Sequence, residues 1–151
     1  MANPSIEMLK VTVSHLGGLA DELVFLGGCT ASLLITDEGS EYARSTKDVD
    51  AIVETIKYSD YHEFEIRLQK AGFTRDISDG APMCRWLNGG IILDVMPVEG
   101  NFLGFKSAWY PDVVRYAEIV EISAECSIRV ITPVYFLATK LEAFHDRGKN
   151  D

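Results

Sequence analysis

Residues 48–54, Asp-Val-Asp-Ala-Ile-Val-Glu, alternate carboxylates with apolar side chains at the two-residue period of a β-strand. Val49, Ala51 and Val53 share the face expected to meet a core, and Asp48, Asp50 and Ile52 share the other. A chain with this segment has to build a sheet that is apolar on one side and carries two neighbouring acids on the other. A second strand, Ile91–Val95, repeats the arrangement: Ile91, Leu93 and Val95 take one face, while Asp94 falls between Ile92 and Met96 on the other.

The remaining elements set these strands in context. Ile6, Leu9, Val13, Leu16 and Ala20 recur at helical spacing, and Gly17-Gly18 weakens or ends that helix. Leu23–Leu26 reads as a short buried strand stopped by Gly27-Gly28, with a short helix over Thr30–Ile35. The polar stretch Thr36–Lys47 reads as a mobile loop inside the domain. Ser59 is placed to cap a helix with Tyr61, Phe64, Leu68 and Ala71 on its apolar face, closed by Gly72. Strands are expected around 72–75 and 83–87, and Asn88-Gly89 is a hairpin signal before Ile91. Residues 108–117 read as helix, and 118–122 and 127–131 as strands. Thr132-Pro133 opens a last helix whose Val134, Leu137, Leu141 and Phe144 read as a buried stripe, with Gly148 at its end. Mixed helices and strands with hairpins in the middle predict an α/β (α+β) fold, a mixed sheet flanked by helices.

At 151 residues the chain is expected to form one domain, 1–151, and its 47% apolar and 25% charged composition excludes disorder, collagen-like repeats and coiled coils. No apolar run approaches the ~20 residues of a membrane span, and the N-terminus has no secretion signal, so a cytoplasmic location is expected. The net charge of −9 argues against duplex DNA as a partner, because such binding needs cations to neutralise phosphates. Cys29, Cys84 and Cys126 form an odd set without a CxxC pair, which fits reduced thiols better than disulfides or zinc.

Asp48, Asp50 and Asp94 are the candidate metal ligands. Two unit charges about 4 Å apart repel by roughly 4 kcal/mol at an effective dielectric near 20. A divalent cation removes that cost, and a set of carboxylate oxygens suits Mg²⁺. Read alone, the same acids also fit an ordinary solvated strand edge. Gly27-Gly28 between a strand and a helix lets backbone N–H groups approach a phosphate closely, and Thr30 and Ser32 offer hydroxyls. No Gly-Lys-Ser/Thr follows, so this is not a Walker A loop. On the last helix, Arg147 and, just beyond it, Lys149 suit the dipole at a helix C-terminus. Lys140 sits mid-helix, where it can reach a triphosphate or form a salt bridge.

The order strand, Gly-Gly, helix, Asp-x-Asp strand, hairpin and third-Asp strand resembles the nucleotidyltransferase superfamily. Three segments, FLGGCTASLLITDEGSEYARSTKDVDAIVE, APMCRWLNGGIILDVMPVEGNFLGFKSAWY and TPVYFLATKLEAFHDRGKND, look like the AbiEii/AbiGii toxin-type nucleotidyltransferase-like proteins. The resemblance implies a nucleotidyltransferase-like fold and Mg²⁺-dependent transfer of NMP from an NTP to a hydroxyl of tRNA, protein or a small molecule. Asp48, Asp50 and Asp94 would be catalytic and hold two Mg²⁺ ions, with Asp94 helping to deprotonate the acceptor. Gly27, Gly28 and Ser32 would cradle phosphates, and Lys140, Arg44 and Arg147 would neutralise them. An antitoxin protein is an implied partner.

Two departures stand out. Gly28 replaces the usual serine of the motif, and the interval from Gly28 to Asp48 is longer than the commonest spacing. Relatives also continue past R-G-K-x-D into further helix, so the resemblance implies a domain lacking a C-terminal helical extension. Haloacid-dehalogenase phosphatases use D-x-D at the carboxyl end of an apolar strand; here the apolar residues follow the acids, which counts against that class. The competing reading is a nucleotidyltransferase-like module that binds a nucleotide or partner without turnover.

Overall fold

The computed structural model describes residues 3–34, 48–54, 58–98 and 108–148, with side chains as far as His145. Helix α1 spans Pro4–Leu16 and starts at Asn3, whose Oδ1 accepts from the Ser5 (2.9 Å) and Ile6 (3.4 Å) amides. The helix ends at Leu16, as the Gly17-Gly18 pair predicts, and a 3₁₀ segment, Gly17–Glu22, follows directly. Next come β1 (Leu23–Leu26), a 3₁₀ turn at Gly28–Thr30 and helix α2 (Ala31–Leu34). Strand β2 (Asp48–Val53), helix α3 (Tyr58–Lys70) and strands β3 (Thr74–Arg75), β4 (Arg85–Asn88) and β5 (Ile91–Pro97) make up the middle of the chain. Helix α4 (Tyr110–Arg115), strands β6 (Glu118–Ser123) and β7 (Cys126–Val130) and helix α5 (Pro133–Gly148) complete it.

Among the described residues, the seven strands form one mixed sheet in the order β3-β4-β5-β2-β1-β7-β6. Strand β2 lies antiparallel to β1 and parallel to β5, and β1 lies parallel to β7. This is the mixed sheet with flanking helices that the sequence predicts. Leu23–Leu26 is buried throughout, as an apolar run at the centre of a sheet should be. Trp86, Tyr61, Phe64, Phe73 and Leu9 are the largest other fully buried side chains among the described residues. The Tyr61 hydroxyl, buried on α3, donates to the Val95 carbonyl at 2.8 Å and so fixes that helix on β5. Glu65, also on α3, pairs with Arg75, whose guanidinium covers the Trp86 ring at 5.2 Å and ties the short edge strand β3 to the helix.

Several local expectations need correction. Ser59 lies inside the first turn of α3 rather than at its cap. The hairpin loop is Gly89-Gly90, because Asn88 still pairs with Ile91; Gly89 takes φ +58, a conformation natural to glycine in a tight hairpin. The strand expected over 72–75 is only Thr74–Arg75, and the helix expected over 108–117 only Tyr110–Arg115. The stripe on the last helix is the clearest reversal: Val134, Leu137, Leu141 and Phe144 are 73, 59, 59 and 75% exposed. The helical spacing holds, but packing chooses a different face. Tyr135 stacks on Tyr116 with centroids 5.8 Å apart and meets Trp109 at 6.2 Å, while Phe136 packs against the core. That rotation points the aliphatic stripe at solvent. The loop expected at Thr36–Lys47 and the end of the helix expected at Ile35 lie outside the described residues. No helix among the described residues is long and apolar enough to cross a membrane.

Candidate active site

The parallel register of β2 and β5 sets Asp50 beside Asp94, and alternation puts Asp48 on the same face. One carboxylate oxygen from each of the three lies within 4.8 Å of the others. Asp94 is buried, and the other two are partly so. Burial, with Asp94 and Asp48 adding their charge, pushes the Asp50 carboxyl up to about 7; Arg85 and Lys140 offset only part of this. A converging all-oxygen donor set whose negative charge Arg85 and Lys140 offset only in part fits a hard divalent cation of the Mg²⁺ type.

Arg85 completes the cluster, and the sequence analysis does not single it out. It stands opposite Asp94 across the β4–β5 hairpin. Its Nε donates to Asp94 Oδ1 at 2.9 Å and its Nη2 to Oδ2 at 3.0 Å, while Nη2 also lies 3.6 Å from Asp48 Oδ2. The Asp94 carboxylate raises the pKa of this guanidinium. A signal for Arg85 existed in the sequence: counting back from a Gly89-Gly90 turn pairs residue 85 with residue 94. Choosing Asn88-Gly89 as the turn shifts that count and hides the pair.

The glycine turn abuts the acids. Gly27 has φ +78, and a Cβ there would run into the Asp50 carboxylate, lying 3.0 Å from its Cγ, so only glycine lets Asp50 sit over the turn. The Gly27 carbonyl accepts from the Thr30 amide at 3.1 Å and the Thr30 hydroxyl at 2.8 Å, which closes the turn internally. The Ser32 Oγ accepts from Asn3 Nδ2 at 2.9 Å, and Ser32 is not among the residues lining the adjoining cavity.

That cavity, of about 330 Å³, joins Gly27, Gly28, Asp50 and Asp94 at its floor to Leu26, Met96, Cys84 and Tyr110 and to Phe136, Thr139 and Lys140 of α5. Lys140 therefore reaches the site from the helix, its Nζ 5.9 Å from the Phe136 ring centroid. Burial, followed by the nearby Asp50 charge, pushes the Tyr110 hydroxyl up to about 12. Tyr110 and Phe136 are further site residues that the sequence does not mark, since an aromatic residue on a helix carries no local sign of a cavity wall. Arg44 lies outside the described residues, and so does the side chain of Arg147.

A mixed sheet whose two parallel strands join three acids beside a glycine turn defines the site. No family model matches this chain, and no curated protein matches it. Among solved structures, the fold is similar to that of an antigenic nucleotidyltransferase-like protein from Paracoccidioides brasiliensis, with a TM-score of 0.52 and 16% identity. The match covers 90% of this chain but 64% of that one, so this chain spans less than two thirds of its neighbour's length. The fold is therefore nucleotidyltransferase-like.

Proposed function

We propose that residues 1–151 act as one nucleotidyltransferase domain that moves NMP from an NTP to a hydroxyl acceptor with the help of Mg²⁺. The observation that carries this reading is the convergence of Asp48, Asp50 and Asp94 beside the Gly27 turn, with Asp50 and Asp94 lining a cavity that Lys140 also lines. Asp48 and Asp50 hold the metal in this reading, and Asp94 completes the set. Mg²⁺, two ions by the family resemblance, would supply charge neutralisation for an in-line displacement when held by these acids. The acceptor oxygen bonds to the α-phosphorus, the α–β anhydride bond breaks, and pyrophosphate leaves. Asp94 takes the hydroxyl proton and passes it to water. Gly27 and Gly28 receive the β,γ-phosphates on their backbone, with Lys140 as counter-charge; Ser32, Arg44 and Arg147 belong to the same proposal as phosphate-side groups.

The quoted motifs support kinship with the AbiEii/AbiGii type, and with it a toxin role, an antitoxin partner, a cytoplasmic location and tRNA, protein or small-molecule acceptors. The test is incubation with each α-³²P-labelled NTP, Mg²⁺ and separate pools of tRNA, protein and metabolites. Label should move to one pool with wild type and not with Asp48→Asn. A second reading, binding without turnover, is favoured by Gly28 in the serine position and by Arg85 occupying both Asp94 oxygens. It predicts nucleotide binding with no labelled pool.

A further inference from the structure

We infer that Arg85 is a built-in competitor for the metal: it occupies Asp94 as an internal counter-ion, and a divalent cation binds there only by displacing it. The inference rests on the metal-binding reading above and adds a regulator to it. Both oxygens of Asp94 are engaged by one guanidinium in a two-pronged contact, the strongest geometry available to an arginine–carboxylate pair. The same Nη2 leans toward Asp48, so a single cation spans two of the three acids. Arg85 takes one lone pair on each Asp94 oxygen, and an ion on the remaining pairs would lie against the guanidinium charge, so the two cations repel and compete for the carboxylate. The two partners differ in freedom: the Asp94 side chain is 9% exposed and that of Arg85 is 25% exposed. The carboxylate is fixed in the sheet, while the guanidinium has a path to solvent. Exchange therefore moves the arginine and leaves the acid in place.

The exchange sets the metal affinity. The acids are partly neutralised before any ion arrives, which weakens metal binding but spares the metal-free fold part of the repulsion among them. Calorimetric titration of Mn²⁺ alone, without nucleotide, into wild type, Arg85→Gln and Arg85→Lys tests this. Arg85→Gln should bind Mn²⁺ about tenfold tighter or more, given the size of charge interactions at this range after allowance for partial exposure. Arg85→Lys, a point charge without the fork, should fall between the two. Equal or weaker binding in both variants would overturn the inference and make Arg85 a residue that positions Asp94 for the metal.

A second measurement does not depend on the variants folding. Mn²⁺ should speed the modification of Arg85 by phenylglyoxal in wild type several-fold, read by peptide mass spectrometry, because displacement exposes the guanidinium. An unchanged rate in protein shown to bind Mn²⁺ overturns the inference alone. No Mn²⁺ binding to any of the three proteins overturns the metal reading and this inference with it.

Discussion

Asp50 carries the clearest electrostatic penalty among the described residues. Its carboxyl is raised from 3.8 to about 7 by burial and by Asp94 and Asp48. Between those two values the folded protein keeps a proton that the unfolded chain has lost, so stability falls as pH rises through that window. Below it the group is neutral in both states and costs nothing; above about 7 the penalty is complete. Asparagine cannot ionise. In EDTA, Asp50→Asn should therefore melt higher than wild type, and the gap should widen by several degrees from about pH 5 to about pH 8. Thermal melts at the two pH values check this, and a constant gap contradicts it. Gly27 belongs to the same local arrangement, since its missing side chain is what gives Asp50 its place.

Helix α5 shows what a sequence period can and cannot specify. The spacing of Val134, Leu137, Leu141 and Phe144 marks a helix face correctly but does not say which face is packed. Tyr135 and Phe136 settle that through contacts with Tyr116, Trp109 and the core, which are distant in sequence. Changing Leu141 or Phe144 to Ser should accordingly shift unfolding free energy by no more than about 0.5 kcal/mol. Leu68→Ala in α3, at a fully buried position, should cost about 2–5 kcal/mol. Denaturant titrations of the three variants separate these outcomes; a large loss from Leu141→Ser would return that stripe to the core. The hairpin teaches a similar lesson. Glycines near residue 89 announce a turn, yet a shift of one residue decides whether Arg85 or a neighbour faces Asp94.

Across the whole molecule, the acids were legible because each lies on a strand whose alternation is visible locally. Their meeting point was not legible from spacing alone. The parallel pairing of β2 with β5 joins segments separated by α3 and a hairpin, and only the assembled sheet brings Asp50 next to Asp94. The cavity walls were hidden for the same reason, since Tyr110 and Phe136 come from elements far apart in the chain. Under the proposed function, a chain with a net charge of −9 needs metal and cationic side chains at this corner to accept a triphosphate. Metal-dependent nucleotide binding at the three acids is tested most directly by calorimetric titration of each of the four NTPs into wild type and Asp48→Ala, with and without Mg²⁺. A dissociation constant of about 10–100 µM is expected for at least one NTP, seen only when both the metal and Asp48 are present. Failure of every NTP to bind wild type in Mg²⁺, or equal binding by Asp48→Ala, would contradict it.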